Sequence, residues 1–423
     1  MQTPRNTLRQ RDFIIVLMGQ VISLFGNAIL RFALPLHLLR ATGSAALFGS
    51  VSALSFAPMV VLSLLGGVLA DRVDKRKVMV ALDATVALLC GAFLLFMGEL
   101  SIAAATAVFL MLLYGASGLY QPAVQASMPA LLCGEALLRG NAAVNMVAML
   151  DDLLGPALGG LLFGLWGLEP VLAVSGLCFA ASAVMEMALN IPHEKRPRVG
   201  GVCATARRDL AESWRYLRRA RGALLRLTIL LALFNFALSA ALIVGVPVLA
   251  VGRLGLSDGA VGVTQAAMGL GGLCGGLLAG AWAGKLRLRH GFFPLLACAP
   301  AMLLVGVSAL PGIGASGWPL LLAGCFCAMA AASLFSVHIS AAVQARTPAF
   351  LVGKVMSLMM AVAMCMQPLG QFLYGMLFEA LGPGAYLIML FAALAAALLA
   401  FCARGTLRRM EGEGRSAFAA VER

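Results

Sequence analysis

The sequence predicts an all-α integral membrane protein of twelve transmembrane helices in two pseudo-symmetric six-helix bundles. Three observations carry this: composition, the spacing of apolar runs and a weak internal repeat. Of the 423 residues, 61% are hydrophobic and 12% charged, well outside the range of soluble globular domains. A helix needs roughly 20 apolar residues to cross the hydrocarbon of a bilayer, so twelve such helices with short connections fill the chain.

Apolar runs fall near 13–39, 45–70, 78–98, 101–127, 141–166, 170–190, 223–251, 259–284, 291–310, 317–344, 355–380 and 385–403. The first follows a polar segment with Arg5, Arg9 and Arg11; it is too long for a signal-peptide core and reads as a retained span. The repeat sets Gly66-Gly-Val-Leu-Ala-Asp-Arg72 after span two against Gly275-Gly-Leu-Leu-Ala-Gly-Ala281 after span eight. It also sets Val124-Gln-Ala-Ser-Met-Pro129 after span four against Val343-Gln-Ala-Arg-Thr-Pro348 after span ten. Two duplicated halves follow. The domains expected are a six-helix bundle at 1–190, a linker at 191–222, a second bundle at 223–405 and a tail at 406–423.

The net charge of +13 is distributed by topology and does not form a nucleic-acid-binding face. With a cytoplasmic N-terminus, 27 of the 31 Lys and Arg residues fall on one side, which places both termini in the cytoplasm and the protein in a bacterial inner membrane. The linker carries nine of them, with Leu210, Trp214 and Leu217 on one face of an amphipathic helix lying on the anionic leaflet. Most of the ten cysteines sit in apolar runs, so neither disulfides nor a metal site are expected. No cofactor is expected either. His193-Glu194 is not followed by a second zinc-ligand histidine, and Gly280-Ala-Trp-Ala-Gly284-Lys285 has the wrong spacing for a phosphate loop. Enzymatic and ATP-driven readings are therefore disfavoured.

The loop Gly67-Val-Leu-Ala-Asp71-Arg72-Val-Asp74-Lys75-Arg76 resembles the signature Gly-x-Leu-Ala-Asp-Arg-x-Gly-Arg-Lys of the major facilitator superfamily. Asp74 stands where the family has its turn glycine. Gly155-Pro156-Ala-Leu-Gly159-Gly160 in span five is similar to the motif of the antiporter branch. Phe32-Ala-Leu-Pro-Leu36 followed by Thr42-Gly-Ser44 resembles the exporters of drugs, macrolides and siderophores.

The resemblance implies a major facilitator fold and a secondary active transporter. It would export small amphipathic molecules by alternating access and proton-coupled antiport, as a monomer whose partners are the bilayer, its substrate and protons. A facilitated carrier, or a lipid or peptide translocator without proton coupling, is the alternative. The basic residue that many drug/proton antiporters carry in span four is absent.

The resemblance also assigns roles. Gly67, Asp71, Arg72, Lys75 and Arg76 would form a gating loop. Gly155, Pro156, Gly159 and Gly160 would meet Gly272, Gly276 and Gly280 of span eight across the two halves, small-residue faces of the kind that close helix crossings in lipid require. The first and fourth helices of each half would line a central cavity, and these helices carry polar stripes at helical spacing. The stripes are Gln20, Ser23 and Asn27 in span one, Tyr114, Ser117, Gln121 and Gln125 in span four, Asn235 and Ser239 in span seven, and Ser333, Ser336 and Ser340 in span ten.

Ionisable residues deep in a membrane are expensive and usually functional. Arg31 in span one and Asp151 with Asp152 in span five are the candidates for proton coupling, with Asp152 slightly favoured as the partner of Arg31. Asp83 and Glu186 lie nearer the cytoplasmic ends of their spans, where a structural role is expected. Neither His37 nor His338 is a candidate proton carrier.

Overall fold

The structure is a computed structural model that describes the backbone of residues 4–99, 101–191, 222–282, 288–347 and 349–421. Within these, the side chains of 4–10, 64–72, 152–153, 222–223, 288, 349–350, 354 and 410–421 are outside the description. The linker helix expected around Leu210 and Trp214 therefore lies outside the described residues, as do the side chains of Gly67, Asp71, Arg72 and Asp152.

Twelve helices run through the described chain, without a strand among the described residues. They are α1 (Pro4–Thr42), α2 (Ala45–Arg72), α3 (Lys75–Phe96), α4 (Ile102–Leu131), α5 (Gly134–Trp166) and α6 (Leu168–Met187). After the linker come α7 in three consecutive pieces (Gly222–Phe234, Asn235–Ser239, Ala240–Gly252), α8 (Asp258–Trp282), α9 (Phe292–Ser308), α10 (Trp318–Gln344), α11 (Ala349–Leu381) and α12 (Tyr386–Val421). Eleven are long and apolar enough to cross a membrane; the other, α9, is apolar but shorter, at 17 residues. In lipid every backbone polar group must be satisfied internally, which is why such a chain resolves into helices.

Helix boundaries depart from hydropathy where charge joins a helix. Helix α5 starts at Gly134, ahead of the apolar run, and its first turns carry the i,i+4 pair Glu135–Arg139 at 2.6 Å, which supports an exposed helix end. Helix α12 runs past residue 405 to Val421. Between α1 and α2 the chain reverses in two residues. Gly43, at φ +64°, ends α1 in the left-handed conformation that favours glycine, and Ser44 Oγ accepts from the Leu47 N–H to cap α2.

The chain divides into two compact units. The first comprises Met1–Gly43, Val51–Val202 and Ser257–Ala266, so it takes in the start of α8 together with α1, most of α2 and α3 to α6. Helix α1 packs on α4, α5 and α6, and α3 packs on α4 and α6. At one end of this unit Val16, Met79, Tyr120, Val124 and Met128 form an apolar core. Asp258, at the start of α8, pairs with Arg40 at 2.9 Å.

The second unit comprises Ser44–Ser50, Cys203–Leu256 and Ala267–Arg423. Here α9 packs on α10 and α12, and α7 packs on α11. Glu379 of α11 accepts from Ser44 Oγ at 3.1 Å and from the Ala46 N–H at 3.2 Å, setting an acidic group at the positive N-terminus of α2. A Cβ on Gly49 would stand 2.7 Å from the Gly375 Cα, so these helices meet backbone to backbone.

The middle piece of α7, Asn235–Ser239, is a π-helical turn. Such a turn shifts the hydrogen-bond ladder by one residue and leaves a carbonyl without its usual partner. Tyr374 of α11 donates its hydroxyl to the Ala237 carbonyl at 2.7 Å, and Gly370 lets α11 approach Phe236. Tyr374→Phe deletes this bond and is expected to cost about 1 kcal/mol. The measurement is the thermal unfolding midpoint of the detergent-purified protein; an unchanged midpoint removes this bond from the packing of α7.

Candidate functional site

The polar stripe of α1 is the axis of the site in the first unit. Four side chains, Gln20, Ser23, Asn27 and Arg31, succeed one another at three- and four-residue steps on one face, and the last three each meet a partner on a neighbouring helix. Arg31 lies over the Tyr114 ring of α4 with its Cζ 3.9 Å from the centroid, and it donates to Met59 Sδ at 3.7 Å. Phe56 packs on Tyr114 as a tilted ring pair, centroid to centroid 5.3 Å. One turn along, Asn27 Nδ2 donates to Ser117 Oγ at 2.9 Å, and Ser117 donates to the Leu113 carbonyl. Another turn along, Ser23 Oγ donates to Asp83 Oδ1 of α3 at 2.9 Å. Gln20 is fully buried, and neither amide atom has a partner among the described residues.

Beside the Ser23–Asp83 bond lies a second buried carboxyl. Glu186 Oε1 of α6 accepts from the Tyr120 hydroxyl of α4 at 2.7 Å. Ser182, one turn earlier on α6, donates to the Gly19 carbonyl of α1 at 3.0 Å. Asp83 is 2% exposed and Glu186 fully buried. Among the described residues neither forms an ion pair, and Asp83 Oδ2 and Glu186 Oε2 have no hydrogen-bond partner. A small cavity of about 20 Å³ opens between Ser23, Asn27, Asp83, Ser117, Tyr120 and Gln121, enough for a single water molecule.

The α1 residues expected to line an open cavity are thus turned into the helix packing, where Gln20, Ser23 and Asn27 are all buried. On α4, Tyr114, Ser117 and Gln121 are half-buried and Gln125 is exposed. In the second unit Ser333, Ser336 and Ser340 are half-buried along α10, and Asn235 and Ser239 are the two ends of the π-helical turn. Asn235 Nδ2 donates to the Leu231 carbonyl at 3.0 Å. Asp151 is half-buried on α5.

The glycine faces sort differently from the sequence expectation. A Cβ on Gly155 would stand 2.2 Å from Ala28 Cβ, and one on Gly159 would stand 3.3 Å from Ile29 Cα, so both glycines face α1. Gly160 and the Pro156 carbonyl face Gly262 of α8, with a Gly160 Cβ 2.5 Å from Gly262 Cα. Gly272, Gly276 and Gly280 of α8 lie in the second unit. A Cβ on them would find Met329 Cε at 3.9 Å, Ser333 Oγ at 3.6 Å and nothing within 4 Å, respectively. Their neighbours Gly271 and Gly275 make the close crossing of α8, against the Phe326 and Ala330 carbonyls of α10. An i,i+4 repeat of paired glycines leaves two faces open, and the sequence does not say which face is used.

At the start of α3, Arg76 donates to the Met187 carbonyl at the end of α6, and Lys77 lies 4.0 Å from Asp74 of the α2–α3 loop. Sequence reading set Asp83 and Glu186 aside as helix-end residues. The signal available was that two carboxylates with no basic residue a turn away sit in otherwise apolar runs. The rotation that turns both inward was not visible.

The sequence profile of the Major Facilitator Superfamily matches residues 16–370. The chain belongs to this superfamily. Among solved structures, the nucleoside transporter NupG superposes with a TM-score of 0.74 at 12% identity, over 93% of this chain and 99% of that one. A bacterial homologue of the human lysosomal transporter Spinster superposes with a TM-score of 0.69 at 14% identity, over 97% and 99%. At these identities the likeness establishes the major facilitator fold alone.

Macrolide efflux protein A of Streptococcus pyogenes is 27% identical over 212 residues, which is 50% of this chain and 52% of that protein. Its namesake in Enterococcus faecalis is 26% identical over 175 residues, 41% of this chain and 54% of that protein. The matches thus span about half the length of these curated relatives. The chain is a multi-pass membrane transporter of the superfamily.

Proposed function

We propose that this transporter exports small amphipathic molecules of the macrolide class across a bacterial inner membrane, with both termini in the cytoplasm, by alternating access and in exchange for protons. The observation that carries the reading is the α1–α4 face, where the half-buried Arg31 guanidinium is held over the half-buried Tyr114 ring next to the Asn27–Ser117 pair. A mostly apolar substrate with a few polar groups needs such a surface: an aromatic wall, one cation and short polar side chains set in an apolar bundle. Efflux named for two relatives supports the direction, and the basic residues concentrated on one side support the orientation.

The test is a panel of macrolides, dyes and siderophores in an efflux-deficient host, comparing wild type with Arg31→Ala. A desolvated cation-π contact is worth about 1–2 kcal/mol, which corresponds to roughly tenfold in affinity. Wild type is expected to raise resistance to macrolides, and Arg31→Ala to lose most of that protection at equal expression. Protection by neither protein against any compound sinks the export reading. Full protection by the variant removes Arg31 from the substrate site.

A further inference from the structure

We infer that the coupling proton is held by the buried pair Asp83 and Glu186, and that α1 connects this site to the substrate face. The inference rests on the export reading for its physiological meaning, but the site itself stands on geometry. Two buried carboxyls on different helices each have one oxygen hydrogen-bonded and one without a partner among the described residues: Asp83 lines the small cavity, and Glu186 is bonded to Tyr120, which lines it too, with no cation among the lining residues. Both face the same stretch of α1: a Cβ on Gly19 would stand 3.4 Å from Glu186 Cγ, and Ser23, one turn on, bonds Asp83. A second, independent feature points into the same place: Asn27, 6% exposed, lines the cavity beside Asp83, and its Oδ1 has no partner.

Around the pair, helix α1 contributes Gln20 and Ser23, with Asp12 two turns before Gln20; α4 contributes Tyr120; α6 contributes Ser182. The cations of α3, Lys75, Arg76 and Lys77, lie in its first turn, where the half-buried Arg76 bonds the Met187 carbonyl and the exposed Lys77 lies 4.0 Å from Asp74. Two bare carboxylates in such a setting are far costlier than one carboxylate and one acid. The chemistry is the addition and removal of one proton at a carboxyl oxygen, with the cavity offering room for the water molecule that carries it.

The connection to the substrate runs along three successive turns of α1. Ser23 reports on Asp83, Asn27 is fixed by Ser117, and Arg31 lies against Tyr114. Protonating Asp83 weakens what Ser23 donates to. A small rotation of α1 that follows moves Arg31 relative to the ring. Proton and substrate thereby bias the same helix, which is what reciprocal coupling between two sites requires.

The test uses the full chain in proteoliposomes and two readouts that need no substrate. In infrared difference spectra, a step between acidic and alkaline pH is expected to give a protonated-carboxyl C=O band in wild type. Asp83→Asn and Glu186→Gln should each diminish it, and the double variant should lose it. On unmutated protein, dicyclohexylcarbodiimide, which adds the O–H of a protonated carboxyl across its C=N bond, should label Asp83 or Glu186 and label less at alkaline pH, as read by peptide mass mapping. The third readout, erythromycin movement driven by an imposed pH gradient, should be lost in both single variants.

A band and label that stay on Asp151 or Asp152 and ignore both substitutions overturn the assignment, as does the lack of any titrating carboxyl. Labelling of the wild type keeps the question decidable if a variant fails to fold. Failure of wild type to move erythromycin strikes the export reading alone, because the first two readouts are independent of it.

Discussion

A leucine at Gly160 is expected to abolish export, whereas an alanine at Gly280 is expected to leave it near the wild-type level. Both positions belong to glycine series that look equivalent in sequence, but only one is a crossing. At Gly160 even a methyl group would lie 2.5 Å from the Gly262 Cα and 2.9 Å from the Asp258 carbonyl; at Gly280 it would meet nothing within 4 Å. The obstacles at Gly160 are backbone atoms, which no rotamer change can remove. Helix association in lipid depends on this kind of close packing, because lipid tails supply no hydrophobic force to compensate for a gap. Overpacking typically costs about 1–3 kcal/mol where side chains can give way, and the cost here falls on the α5–α8 contact as a whole.

The measurement is macrolide resistance at matched membrane expression, with Gly160→Ala as an intermediate step. Normal resistance for Gly160→Leu, or an equal loss for Gly280→Ala, would show that this crossing is not the one on which function depends.

The fold was legible because the bilayer constrains it so strongly. Span lengths and apolar content depend on composition over tens of residues, and local errors average out. The family resemblance carried by the α2–α3 loop and the Gly155–Gly160 segment has a different source, since their order along the chain is itself the signal. What could not be read was helix rotation. Asp83 and Ser23 are 60 residues apart, and Tyr120 and Glu186 are 66 apart, so no spacing rule links them. The α1 residues share one face by their spacing, but such polar groups also suit a water-filled cavity, and only packing shows that Gln20, Ser23 and Asn27 are turned into the bundle. The π-helical turn at Asn235–Ser239 has no periodicity signal either, because a single extra residue per turn leaves the apolar content of the span unchanged.

Gln20→Met is expected to make the protein more stable and a worse transporter. Gln20 is fully buried, and its amide donates to and accepts from nothing among the described residues. A buried polar group left in that state costs about 1–3 kcal/mol relative to an apolar side chain of similar volume, and methionine has nearly the same length and shape. If the amide were mere packing, its replacement would cost nothing in function. Its place on α1, one turn before the serine that binds Asp83, argues otherwise. An amide can donate to a carboxylate and accept from a carboxylic acid, so it can serve both protonation states of a neighbouring carboxyl as α1 moves, and methionine can serve neither. A residue that destabilises one conformation is retained when another conformation uses it. The two readouts are the thermal unfolding midpoint in detergent and pH-gradient-driven erythromycin transport. A raised midpoint with reduced transport is the expected pair; a raised midpoint with full transport would make Gln20 a tolerated packing defect, and a lowered midpoint would mean that its amide is satisfied in the folded protein.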